Sequence, residues 1–350
     1  MKDEIIDLLR LEDKEKVSFL FDKALKTKLD NIGNKVYLRG LIEYSNICQK
    51  KCFYCGLRAE NKINRYALTN EEVVNAAIFA HKNNFASIVI QAGEVKSHSY
   101  TKKITRLLDE INENTNGELG ITLSLGEQTK DTLKEWKDTG KAIRYLLRIE
   151  TSNQELFNKI HPNDTFHSFD KRLATLDMLK DLGYQVGTGI MIGLPFQTEE
   201  NLASDLVFFM EKDIDMVGMG PYIEHKDTPL YRKYKKILLP LQKRLELTLK
   251  MIAILRTIMP TINIAATTAL QTIDNKGREM AIQAGANIVM PNISPVKHRK
   301  DYLLYENKVC LQDEADKCMS CIFNRIHSSG AEIGWGEQGN SLHFLHSNIL

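Results

Sequence analysis

Cys48, Cys52 and Cys55 fall in the spacing C-x3-C-x2-C, inside the stretch NICQKKCFYCGLRAEN from Asn46 to Asn61. In a reducing compartment, thiols this crowded read as metal ligands or reactive groups before they read as disulfide partners. Zinc favours paired Cys-x2-Cys knuckles or added histidines, and the first histidine of the chain is His81. An iron–sulfur cluster is therefore the stronger expectation. Electron-carrier clusters are held by four cysteines, so three thiolates on a four-iron cluster leave one iron without a protein ligand. That iron can accept the amino and carboxylate groups of a small molecule. An electron passed into a sulfonium bound there would break a carbon–sulfur bond. Tyr54, between the last two cysteines, fits an aromatic wall over an adenine or ordinary loop packing.

Elements must hold this loop, and the chain reads as an alternation of short β-rich runs and longer helical patterns. The runs are Val36 to Ile42, Ser87 to Gln91, Gly120 to Leu125, Arg144 to Ile149, Gln185 to Ile192, Asp215 to Met219, Asn263 to Ala266 and Asn287 to Met290. Between most of them, apolar residues recur at helical spacing, as in Glu71 to Lys82 and Leu202 to Glu211. Eight such units predict an α/β fold, a complete (β/α)8 TIM-type barrel; a doubly wound open sheet gives the same alternation with fewer strands. Residues just past the strand ends favour the barrel: Glu43, Glu94, Glu127, Glu150, Pro195, Pro221, Thr267 with Thr268, and Pro291 with Asn292. Active sites of such barrels are built from the loops at that end, although strand ends are also polar because they reach water. The predicted organisation is a helical extension over residues 1–35 that closes the floor of the barrel, a barrel over 36–292, and a tail with its own cysteines over 293–350.

The cysteine spacing resembles that of the radical S-adenosylmethionine (SAM) superfamily, in its biotin-synthase-like branch. The stretches IEYSNIC-x3-C-x2-CGLR, IQAGE, TLSLGE, YLLRIET, GIMIGLP, DMVGMGPYIEHKDTPL, ATTA, GRE and GANIVMPN are more narrowly similar to HydE-type maturation enzymes of iron-only hydrogenases. The resemblance runs from about Val36 to Cys321 and implies reductive cleavage of SAM to a 5′-deoxyadenosyl radical. It implies a 4Fe-4S cluster on the three cysteines. Ala92, Gly93 and Glu94 form the loop toward the SAM amino group, Ala92 replacing a customary Gly. Glu150 and Arg172 contact SAM, the latter at its carboxylate. Ser124 and Glu127 are weaker candidates, and Gly189, Gly193 and Pro195 shape a loop near adenosine. Arg148, Thr267, Thr268, Tyr302 and Tyr305 line the substrate cavity. The implied partners are a small-molecule or small iron-complex substrate, a reductase, ferredoxin or flavodoxin as electron donor, and other hydrogenase maturases. The same residues leave two rivals open, a methylornithine-synthase-like mutase and a non-catalytic metal carrier. His225 reads as a loop residue.

Cys310, Cys318 and Cys321 form a second set, C-x7-C-x2-C. By the same resemblance they would hold an accessory 2Fe-2S or 4Fe-4S cluster; free or zinc-binding thiols are the other reading. Composition excludes little else from the account. Lys plus Arg number 47 and Asp plus Glu 45, for a net charge of +2, and 43% of residues are hydrophobic. This gives no electrostatic case for nucleic acid or a membrane surface. Charges at Lys2, Asp3, Glu4 and Asp7 interrupt any signal-peptide core, and the expected compartment is the cytoplasm.

Overall fold

The computed structural model describes residues 1–138, 142–312 and 315–347, with the side chains of residues 316–318 excepted. Its strands are β1 (Lys35–Leu38), β2 (Gly40–Ser45), β3 (Ser87–Ala92), β4 (Gly120–Ser124), β5 (Ala142–Leu146), β6 (Gln185–Ile192), β7 (Met216–Pro221), β8 (Asn263–Ile264), β9 (Ile288–Val289) and β10 (Glu332–Ile333). β2 to β8 make one parallel sheet of seven strands in sequence order. Helices follow the strands and cover the sheet. Thr69, for example, starts helix Asn70–Lys82 with a capping box to Glu72, which satisfies two otherwise orphaned N–H groups. β6 is buried along nearly its whole length, as a strand packed on both faces requires.

A continuous eight-stranded ladder does not form. The apolar run expected as the first strand divides at Arg39: β1 pairs with β9 and β10, while β2 pairs with β3. The place of an eighth strand is taken by single bridges, Ala265 with Ile288 and Leu41 with Asn292, and by Leu41 N–H donating to the Pro291 carbonyl at 2.7 Å. Pro291 has no N–H to extend a ladder.

The floor is also built differently from expectation. The N-terminal helices Lys2–Leu9 and Lys14–Ile32 pack against helices Glu199–Glu211 and Leu241–Ile258 on the outside. The strand N-termini are covered instead by the C-terminal segment. There Arg39 Nη2 and Asn263 Nδ2 donate to the Gly339 carbonyl at 3.1 and 2.8 Å. Arg144 Nη1 and Gln185 Nε2 donate to Asn340 Oδ1 at 2.5 and 2.9 Å. Buried polar groups need such partners, and a tail that folds back supplies them. No helix of the described residues is long and apolar enough to cross a membrane.

Candidate functional site

The cysteine loop leaves β2 and is bonded along its length. Arg65 donates to the carbonyls of Asn46, Leu57, Arg58 and Asn61 at 2.6 to 3.0 Å. Asn46 Nδ2 bridges to the carbonyls of Asn64 and Asp301, both at 2.7 Å. The amides of Gln49, Lys51, Phe53 and Gly56 donate to Glu94 O, His167 Nε2, Ile160 O and Leu304 O at 2.8 to 3.0 Å. A loop with its backbone groups satisfied in this way holds one shape. Cys52 is buried, with Cys48 and Cys55 partly so. Cys48 Sγ accepts the amides of Lys50 at 3.4 Å and Glu94 at 3.3 Å. Burial pushes the Cys52 thiol up to about 12, and Cys48 and Cys55 are also raised by burial first. Thiolates here are therefore costly without a cation to offset them.

Beside the loop lies a buried ionic group that sequence reasoning found only in part. Lys50 stands 3.3 Å from Glu94 and 3.2 Å from Glu127. Lys96 stands 3.2 and 3.4 Å from the same two carboxylates. Arg172 Nε donates to Glu127 at 2.7 Å, and its Nη1 donates to the Arg148 carbonyl at 2.5 Å. Burial alone would raise the Glu127 carboxyl, but Arg172 and then Lys50 and Lys96 hold it at about 2. Ala92 ends β3, and Gly93 lets the following turn lie on Cys48: a Cβ there would collide with the Ile47 carbonyl and sit 2.6 Å from Cys48 Cβ.

Past β5, Arg148 forks onto Glu150, Nε to Oε1 at 2.8 Å and Nη2 to Oε2 at 2.9 Å. Its Nη1 and Nη2 also donate to Gly218 O and Ile190 O at 2.7 and 2.8 Å. Gly189 makes room for this, since a Cβ there would come within 2.6 Å of Arg148 Nη1. Glu150 is held at φ +66, an uncommon backbone state for a non-glycine residue that concentrates at functional sites.

A cavity of about 350 Å³ runs inward from Tyr54 and Cys55 past Arg148 and Glu150 to Thr267, Thr268 and Tyr305. That volume lies within the range of small-molecule sites, about 300–1,000 Å³. Tyr54 meets His161 edge-on at 5.4 Å between ring centres. Burial, then the Arg172 charge, drops His161 to about 3. Its Nδ1–H is committed to the Phe157 carbonyl at 2.9 Å, so Nε2 is left to accept from the Tyr54 hydroxyl at 3.4 Å.

Tyr302 does not line the cavity; it is buried, with Lys308 5.1 Å above its ring. Lys308 in turn pairs with Glu43. Ser124 ends β4 in register with Gln91. Gly193 stands at φ +84, and a Cβ there would collide with Arg244 Cγ. Pro195 is buried two residues on. His225 packs on Gly56 and accepts from Asp227 N–H at 3.2 Å, so it is a loop residue that touches the cysteine loop. The second cysteine set is only partly described. Cys310 sits at φ +63 with its carbonyl accepting from Arg299 Nη1 at 3.2 Å. Cys321 is exposed on helix Ala315–Ser328 and accepts from Arg325 Nε at 3.3 Å. The Cys318 side chain lies outside the described residues. Lys50, Lys96, His161, His167 and Lys308 were not foreseen; for Lys50, its place inside CQKKC was the only sequence signal.

Three buried or half-buried thiols, one already accepting two amides and all disfavoured as free thiolates, suit an iron–sulfur cluster that would supply the compensating charge. Among the described residues no three His, Cys, Asp or Glu side chains converge closely enough to clasp a single ion. Fold and loop together define a radical SAM protein, and the model of the Radical SAM superfamily matches residues 42–209. The chain belongs to the HydE branch of that superfamily. It is 41% identical over 333 residues to the "[FeFe] hydrogenase maturase subunit HydE" of Thermotoga maritima, covering 94% of this chain and 91% of that one. It is 30% identical to the 3-methylornithine synthase of Methanosarcina acetivorans, covering 94% and 89%. The crystal structure of methylornithine synthase (PylB) superposes with a TM-score of 0.80 at 26% identity, over 100% of this chain and 96% of that one.

Proposed function

We propose that this protein cleaves SAM reductively and acts in assembly of the hydrogenase di-iron cofactor. The observation that carries the reading is one continuous cavity leading from Cys55 and Tyr54, past Arg148 and Glu150, to Thr267 and Thr268. Cys48, Cys52 and Cys55 would hold the 4Fe-4S cluster. When bound, that cluster supplies one electron to SAM, whose carbon–sulfur bond breaks to leave methionine and a 5′-deoxyadenosyl radical.

The protein's own residues bind, orient and exclude water. Glu94, presented by Ala92 and Gly93, accepts from the SAM ammonium. Arg172 spends Nε and Nη1 on protein acceptors and offers Nη2 to the carboxylate, a charge-assisted bond. Tyr54, fixed by His161, walls the adenine; Ser124, Glu150 and Gly193 complete that end. Arg148, Thr267, Thr268 and Tyr305 face a small substrate, read as a cysteine-bound iron–carbonyl–cyanide complex, with Tyr302 backing them. A barrel interior closed off from bulk water shields the radical and fixes one target atom. Bridges from Ile288 of β9 to Ala265 just past β8, and from Asn292 to Leu41 of β2, support reading the ring as a closed (β/α)8 barrel over 36–292, flanked by a helical extension and a tail. In that tail Cys310, Cys318 and Cys321 are read as a labile accessory cluster, and the compartment as the cytoplasm.

The test is a maturation mixture that lacks its own HydE. Wild-type protein should restore hydrogen production by the apo-hydrogenase and Cys52→Ala should not. Intact SAM cleavage without restoration would favour the amino-acid mutase reading, which the likeness to methylornithine synthase supports.

A further inference from the structure

Beyond β7 the chain forms a strap, Lys226 to Lys243, with six Lys or Arg against one Asp. This is a local concentration in a chain of net charge +2. Arg232 pairs with Asp227 and Lys243 with Glu246. Among the described residues, Lys226, Lys233, Lys235 and Lys236 have no carboxylate in ion-pair range, and all four are exposed.

The strap is fastened to the cysteine loop. Leu230 N–H donates to the Phe53 carbonyl at 3.0 Å, and Leu230, Tyr234 and Leu238 pack with Phe53 and Tyr54 in a small apolar cluster. Next to it Phe196 stands at φ +69, a strained backbone state for a bulky residue. The strain does not bury the ring: Phe196 is 43% exposed, and Ile237 on the strap is 52% exposed. Phe196 meets Tyr234 edge-on at 4.8 Å, with Lys159 5.1 Å above its ring. Exposed apolar side chains beside a run of unpaired cations are the anatomy of a protein interface, and here the run is fastened to the cysteine loop.

We propose that this strap, with Phe196, is the docking surface for an acidic one-electron carrier protein. The inference rests on the SAM-cleavage reading, because each cleavage draws one electron from outside. The carrier is oxidised by one electron, the cluster takes it up, and the sulfonium consumes it as the carbon–sulfur bond breaks; no atom crosses the interface. Position decides between a carrier and other anionic partners: a phosphate-bearing polymer has no reason to sit over a redox centre, and a carrier must.

The test uses full-length Lys235→Glu/Lys236→Glu protein, with Lys14→Glu/Lys16→Glu on an outer helix as a control of equal net charge. A flavodoxin and a two-iron ferredoxin serve as probes. Binding of each oxidised carrier is measured by calorimetry at low and high salt, and 5′-deoxyadenosine formation is driven either by the reduced carrier or by dithionite alone. The strap variant should weaken carrier Kd and KM about tenfold and flatten the salt dependence, with the dithionite-driven rate unchanged and the control like wild type. Equal loss in the control, unchanged Kd and KM, or wild-type protein that binds neither carrier would overturn the proposal. Should dithionite drive no cleavage even in wild type, the SAM reading fails, and the binding arm still decides the surface.

Discussion

A methyl group on Gly93 would collide with the Ile47 carbonyl and press on Cys48, so Gly93→Ala tests whether that close approach holds the cluster. The fold should survive, by circular dichroism, while iron bound after reconstitution falls and SAM cleavage drops about tenfold or more. Normal iron content in this variant would show that the turn has slack. The crowding of the three cysteines and the placing of Arg148 two residues before Glu150 are local patterns that the sequence displays, whereas the Ala92-Gly93-Glu94 turn stood out only through the family resemblance. The partners that set the state of these residues were not legible. Lys50 finds Glu127 77 residues away and His167 meets Lys51 across 116, and no periodicity announces such pairs. Tyr302 was expected at the cavity and sits behind it; its spacing from Tyr305 cannot say which of the two faces inward.

At the scale of elements, two contacts hold the strand ends in place. Asp205, buried on helix Glu199–Glu211, accepts from the amide and hydroxyl of Ser152, both at 2.6 Å, just beyond Glu150. Burial raises its carboxyl to about 7, against the pull of those bonds. Its folded pKa thus lies above the unfolded value of about 3.9. The protonated form is favoured in the native state, so this stability is full below about pH 4 and is lost as pH rises toward about 7. Asp205→Asn should flatten the fall in thermal stability over that window, by about 1 kcal/mol per pH unit; parallel pH profiles would contradict the assignment. At the opposite end, Asn340→Ala should strand Arg144 and Gln185 without their acceptor and cost about 2 kcal/mol, read as a lower Tm. An unchanged Tm would mean that water replaces it. Neither contact was visible beforehand. Alternating runs located the strands, but the split at Arg39 and the tail's return under the sheet's strand N-termini depend on long-range pairing, as does the outward packing of the N-terminal helices.

For the whole molecule, the two cysteine sets differ in rank. The first faces the cavity and the ionic group; Cys321 of the second is exposed on a helix of the tail. Cys318→Ala should therefore leave SAM cleavage largely intact and remove only iron in excess of one cluster. Loss of cleavage there would reverse the ranking. The most direct test of the central claim is anaerobic reconstitution with iron and sulfide, followed by dithionite and SAM, with 5′-deoxyadenosine measured by chromatography. Wild-type protein should form it and Cys52→Ala should form none. A well-formed cluster in wild-type protein that yields no 5′-deoxyadenosine, with or without the proposed iron-complex substrate, would contradict the account and point to a metal carrier.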